Sequence, residues 1–187
     1  IRYSFFPRPH FIIKNSSIIK NETEISKIKE LKIYVTLKNL FSLNDIKIND
    51  LILVNANFNL DNKNYNFFIK LLQKNLKDKS FKIKDSNVFY RNNEKEVLFI
   101  NKIVNMHYYY DKKNFINTLS SKNEIFNIPY LLELSENIID KKIFSKLIIK
   151  SLKLKIEDQI DYSNDQIKGS TNFIFNRKQR SAIYKIK

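Results

Sequence analysis

The sequence predicts a mainly β protein: a long antiparallel meander sheet curled into a groove, half-open and taco-like, with one amphipathic helix near residues 65–76. Three observations carry that expectation. Residues 45–60, DIKINDLILVNANFNL, alternate. The set Ile46, Ile48, Asp50, Ile52, Val54, Ala56, Phe58 and Leu60 is apolar but for Asp50, and the intervening set is mostly polar. A period of two puts alternate side chains on opposite faces of a strand. From Ser80 onward, strand-like segments and polar turns succeed one another. Only 65–76, YNFFIKLLQKNL, changes period: Tyr65, Phe68, Ile69, Leu72 and Leu76 fall on one face of a helix, with Asn62 or Asn64 as N-cap.

The elements follow in order. Pro7 and Pro9 hold an extended entry. Residues 11–14 read as a short strand ended by a turn at Asn15-Ser16-Ser17. A longer strand starts at Glu24, with Ile28, Leu31, Ile33, Val35 and Leu37 apolar and a phase change near Leu31 that suggests a bulge. Residues 38–44 make a crossover turn. The central strand, at roughly 3.3 Å per residue, would span about 50 Å and needs an equally long neighbour. After the helix, 81–92 alternates with a slip at Asp85–Asn87, and 97–110 is long and ends in aromatics. Lys112, Lys113 and Asn114 form the next turn. Segments 114–121, 124–134, 143–157 and 166–176 each read as one strand, and 181–187 as the last. Pro129 inside its segment suggests an edge position or a bulge.

The 187 residues read as a single elongated β-rich domain over 1–187. The first residue is Ile1 and not Met, so the chain is taken as a piece of a longer protein. No window approaches the ~18 consecutive apolar residues of a membrane-spanning helix. A single glycine, Gly169, excludes the Gly-rich phosphate loops of nucleotide enzymes. Without cysteine there is neither disulfide nor thiolate metal site. The net charge of +15 comes with frequent Lys, Asn, Ile, Phe and Tyr and scarce Gly, Pro, Ala and Trp. That is the residue bias of an AT-rich genome, which raises Lys without any acidic partner; a nucleic acid or an anionic membrane surface is the functional alternative.

Little catalytic chemistry stands out. His10 and His107 lie on different segments, the acidic residues are scattered, and Ser16-Ser17 and Ser120-Ser121 sit without a nucleophile elbow. The expectation is a non-enzymatic protein with no metal and no cofactor. The run Met106-His107-Tyr108-Tyr109-Tyr110 reads as the rim of an apolar core, with stacking on single-stranded bases as the alternative. Arg177-Lys178-Gln179-Arg180 reads as a solvated turn between the last two strands.

Several consecutive pieces carry a resemblance. PRPHFIIKNSSI, EISKIKELKIYVTLKNLF, SLNDIKINDLILVNANFNL, the pair FKIKDSNVFYRN and VLFINKIVNMHYYY, and IKGSTNFIFN resemble, in this order, segments of the AsmA family of bacterial envelope proteins, to which TamB is related. The likeness lies in patterns of hydrophobicity and turns and is strongest over 7–110. It implies a β-groove that holds lipid acyl chains, with no catalytic residues. It further implies a periplasmic protein, anchored to the inner membrane by a tether missing from this chain, that acts in phospholipid transport and outer-membrane homeostasis or assembly, with envelope proteins as partners. The ligand would be phospholipid or another acyl chain.

The expected groove residues are Ile46, Ile48, Ile52, Val54, Ala56, Phe58 and Leu60, with Ile83, Val88, Tyr90, Phe173 and Phe175 as neighbours on the same face. A charge at Val54 or Phe58 is then expected to abolish lipid retention. Two alternatives stay open: a basic nucleic-acid-binding or ribosomal component, and a structural envelope module whose sheet edge recruits a partner strand.

Overall fold

The computed structural model describes residues 1–36, 47–70, 79–164 and 166–186. Twelve strands form one sheet in chain order: β1 (Arg2–Ser4), β2 (His10–Lys20), β3 (Thr23–Val35), β4 (Ile48–Leu60), β5 (Ser80–Arg91), β6 (Val97–Asp111), β7 (Ile116–Ile125), β8 (Ile128–Asn137), β9 (Lys142–Ile149), β10 (Leu154–Asp161), β11 (Ile167–Phe175) and β12 (Lys178–Ile186). A short helix, α1 (Tyr65–Lys70), follows β4. The sheet is open and weakly curled. At roughly 4.8 Å per inter-strand step it is about 50 Å wide.

The mainly β expectation is met, and four details of it are corrected. The meander is not antiparallel throughout: β4 and β5 run parallel, a pairing that no tight turn can connect. The helix is seen over 65–70; residues 71–76, and the crossover expected over 38–44, lie outside the described residues. The turn expected at Asn15-Ser16-Ser17 is instead the interior of β2. The segments 124–134 and 143–157 each hold a turn and no single strand: Phe126-Asn127 joins β7 to β8, and 150–153 joins β9 to β10. Pro129 is therefore the second residue of β8, an inner strand, where it pairs with Glu124 on one side only.

Those turns escape sequence inspection for a physical reason. Two-residue hairpin turns of type I′ need φ > 0 at both central positions and favour Asn-Gly. With its only glycine inside β11, the chain uses Asn21-Glu22 (47°, 61°), Phe126-Asn127 (51°, 61°) and Asn176-Arg177 (47°, 66°). Gly169 answers a different demand. A Cβ there would overlap the ring of Tyr184, its partner across β11–β12. The ring crosses the bare backbone so that its hydroxyl reaches Asp158, donating at 3.0 Å to each carboxylate oxygen, where Thr171 also donates at 2.5 Å.

One face of the sheet is apolar. Register aligns Phe11, Ile33, Leu51, Phe81, Tyr108 and Leu119 in one row, and Ile13, Leu31, Leu53, Ile83, Met106 and Ser121 in the next. Strict alternation would then turn the remaining apolar residues to the wrong side. Instead five adjacent strands slip phase together. Lys14-Asn15, Lys29-Glu30, Val54-Asn55, Lys84-Asp85 and Val104-Asn105 each supply two successive residues to the polar face. Asn15, Asn55 and Asp85 take left-handed φ values of 54°, 52° and 48°. Beyond the slip, Ile28, Ala56, Ser86 and Ile103 resume the apolar face, and a register shift between β6 and β7 ends the defect.

The slip opens the β4–β5 ladder, and Ser86 mends it. Ser86, fully buried, accepts the Ala56 N–H at 2.9 Å and donates to the Lys84 carbonyl at 2.7 Å. Among the described residues, every fully buried apolar side chain belongs to β3–β6. Among them too, no element roofs the apolar face of β8–β11, and each strand contacts its ladder neighbours.

Two stability changes are expected. Ser86→Ala leaves a buried N–H unpaired and costs about 1–3 kcal/mol by urea unfolding. Gly169→Ala costs about 1–3 kcal/mol by overpacking, and markedly less in a Tyr184→Ala background, as a double-mutant cycle of urea midpoints will read.

Candidate functional site

An apolar cleft of about 370 Å³ opens on the apolar face over β2–β6. The slip makes it possible, because Leu51 and Leu53 on one side and Phe58 and Leu60 on the other would otherwise face opposite ways. Phe81, Ile83 and Val88 of β5, Ile103 and Met106 of β6, and Ile28 and Leu31 of β3 complete the floor. Phe68 of α1 forms one wall, edge-on to Phe58 with ring centroids 5.9 Å apart. Among the described residues lining it, Ser16 and Ser17 are the only polar ones, and none is charged. Larger hollows, of about 580 and 620 Å³, lie on the polar face; one is lined by residues such as Glu133, Lys146 and Gln159, the other by Asn15, Lys29, Asn55 and Asp85. Of these three hollows, the cleft alone offers a surface of low dielectric to an apolar chain, whose burial is worth about 0.8 kcal/mol per CH₂.

The residues expected on the groove divide. Ala56, Phe58, Leu60, Ile83, Val88 and Tyr90 pack in one cluster, with Tyr90 stacked on Phe99 at 4.3 Å. Ile52 and Val54 belong to the opposite, polar face, Ile52 between Lys32 and Lys82 and Val54 between Glu30 and Lys84. The slip at Asn55 reverses their side. Ile48 pairs with Val35 beyond a register shift at the start of β4 and does not line the cleft. Ile46 lies outside the described residues. Phe173 and Phe175 share the apolar face but stand on β11, six strands from β5, about 29 Å away; they are 44% and 61% exposed. They are therefore not neighbours of the cleft.

Sequence reasoning missed much of the lining: Leu51, Leu53 and Phe81 at its centre, and Ile18, Ile28, Leu31, Phe68, Ile103 and Met106 around them. The signal was present as consecutive polar pairs in neighbouring strands, visible at Lys29-Glu30 and Lys84-Asp85 but hidden in β4, where Val54 is apolar.

Past β7 the apolar face continues with no described element over it and grades along the strands. Its row nearest the β7–β8, β9–β10 and β11–β12 turns holds Tyr130, Ile149, Leu154 and Phe175, and the next holds Leu132, Leu147, Ile156 and Phe173. Toward the opposite end it becomes polar. Tyr162 donates to Glu136 Oε1 at 2.9 Å, Asn117 Nδ2 donates to Oε2 at 2.9 Å, and Tyr108 donates to Asn117 Oδ1 at 3.1 Å. Partial burial, then the bond to Glu136, pushes the Tyr162 hydroxyl up to about 12.

The aromatic run splits by alternation: Tyr108 is buried in the cluster, while Tyr109 is exposed beside His107 on the polar face, ring centroids 5.0 Å apart. Arg177 sits in the last hairpin turn, and Lys178, Gln179 and Arg180 begin β12. His10 and His107 stay on separate strands, and among the described residues no three His, Asp or Glu converge on a point. No known protein-family pattern matches the chain, and no curated protein matches it in sequence.

One titration is set by this geometry. His107 shares a hydrogen bond with Ser80 Oγ at 3.0 Å, and its pKa is lowered from 6.5 by burial first and by Lys82 second, with Asp50 opposing. A lowered folded pKa means the unfolded chain binds the proton more readily, so this contribution is full above pH 6.5 and is lost as pH falls from there through the lowered folded value. The urea midpoint is expected to drop on acidification below that pH, and less steeply in His107→Gln.

Proposed function

We propose that this protein is a non-enzymatic lipid carrier, a β-groove of the AsmA-like kind. It holds phospholipid acyl chains on the apolar face of its curled sheet and passes them between the inner and outer membranes of a bacterial envelope. One observation carries the reading: the apolar face continues beyond the core of β3–β6 across β8–β11, with no element over it among the described residues. Soluble monomers rarely leave so broad an apolar face open to water, and such faces mark binding surfaces. The lining of the cleft supports the same reading, since it suits an alkyl chain and, among the described residues, offers a polar substrate no charged group and only the hydroxyls of Ser16 and Ser17. The periplasmic setting, the inner-membrane tether and the role in outer-membrane homeostasis come from the resemblance of segments 7–110.

The test is native mass spectrometry of the purified protein, with organic extraction of whatever accompanies it. Stoichiometric phospholipid is expected. Phe58→Asp should abolish retention and Val54→Asp should not, because the slip puts Val54 on the other face. Leu147→Asp, placed on the unroofed part of the sheet, should lower retention with the circular dichroism of the wild type, which separates lost binding from lost folding. A ligand-free protein, or equal loss from Val54→Asp and Phe58→Asp, would refute the reading.

A further inference from the structure

We infer that the turns joining β7–β8, β9–β10 and β11–β12 form a docking rim for an anionic lipid bilayer surface. The three turns lie at the same end of the sheet, because each closes an antiparallel hairpin and successive hairpins are two strands, roughly 10 Å, apart. Each presents one large apolar side chain to solvent: Phe126 at 73% exposure, Leu152 at 47% and Phe175 at 61%. Lys150, Lys153, Arg177 and Lys178, all exposed, stand between them. No carboxylate occurs in 125–128, 149–154 or 175–178.

The opposite end of the same strands makes the contrast. Its turns also expose apolar groups, Phe115 and Ile139, but each carries an aspartate. Asp111 accepts from the backbone of Lys113 and Asn114, Asp161 accepts from Ser163, and Asp140 accepts from Asn137. Those hydrogen bonds hold the Asp111 and Asp161 carboxyls below their usual range, so they stay charged. Apolar tips alone therefore do not set the two ends apart; charge does.

Basic residues without acidic neighbours, mixed with aromatic and aliphatic tips, suit a surface with phosphate groups outside and hydrocarbon beneath. A flat array of bases would gain nothing from Leu152. The row of Tyr130, Ile149, Leu154 and Phe175 begins directly behind these turns, so a bilayer at the rim meets the open end of the apolar face, and the Tyr108, Asn117, Glu136 and Tyr162 network stands at the far end. The docking does not depend on the carrier reading, since a sheet that holds no lipid can still bind a membrane.

The chain has no tryptophan, so Phe126→Trp installs a sole reporter at an exposed turn. Its emission should shift to the blue with vesicles of phosphatidylcholine plus phosphatidylglycerol, and stay unchanged with phosphatidylcholine alone. Lys153→Glu combined with Arg177→Glu should weaken co-sedimentation with the anionic vesicles by roughly 30-fold, while Lys112→Glu combined with Lys141→Glu, at the other end, should leave it within about twofold. Equal loss from both pairs would mean that total charge and not the rim drives binding, and would overturn the inference. So would unshifted indole emission from the Phe126→Trp protein on anionic vesicles, or binding of oligothymidylate through Lys153 and Arg177 without binding of vesicles. Lipid extraction measured on the same samples reports on the cleft separately.

Discussion

A sheet one layer thick has only one way to keep its apolar residues together: the side-chain phase must agree across every strand that shares the face. Changing phase in one strand alone flips every residue beyond that point to the other side. Here the change occurs in β2, β3, β4, β5 and β6 along one line, and each strand marks it with two successive residues on the polar face. Left-handed backbone at Asn15, Asn55 and Asp85 accommodates it, using residue types that tolerate that conformation. The β4–β5 pairing keeps the same register on both sides, Val54 to Lys84 and Asn57 to Asn87, which is possible only because both strands slip together. Ser86 then fills the gap that the shared slip leaves in the ladder.

The buried core, the cleft and the bare surface all follow from that alignment. Beyond the slip Ala56 and Phe58 rejoin Leu53, so β3–β6 hold a cluster dense enough to exclude water, with α1 contributing Phe68. From β8 onward the apolar residues are Leu, Ile and Phe of the same kind, yet none of those described is fully buried. The difference is therefore one of cover and not of composition. Curvature that is too weak to close the sheet leaves this half with a face that is apolar near one set of turns and hydrogen-bonded near the other.

Much of this architecture was legible in the sequence. Period-two patterning marks β3 to β7 because one face is wet and the other dry. What was illegible has three physical sources. Turns without glycine at left-handed positions, as at Phe126-Asn127 and around Lys153, give no punctuation, so two hairpins read as single strands. A parallel pair leaves no local mark at all, since strand direction is set by what the connecting segment does. And the slip was visible in β3 and β5 but concealed in β4, where Ile52 and Val54 extend an apolar series that belongs to the polar face. An apolar alternation identifies a strand reliably; it identifies a shared face only if no residue in it takes left-handed backbone.

The edges bear on where such a sheet can accept a partner. An open twelve-stranded sheet exposes two rows of unpaired backbone groups, an invitation to edge-to-edge association. The two differ. β1 pairs with residues 10–12 of β2 alone, so among the described residues 13–20 of β2 keep that edge open. The other edge is blunted. β12 carries Lys178, Arg180 and Lys185, and a second copy approaching in register would bring like charges together. Tyr184 ties β12 inward through Asp158 on β10. The polar face is studded with lysine, so among the described residues a partner of low polarity finds its complement on the apolar face and on the turns at its open end.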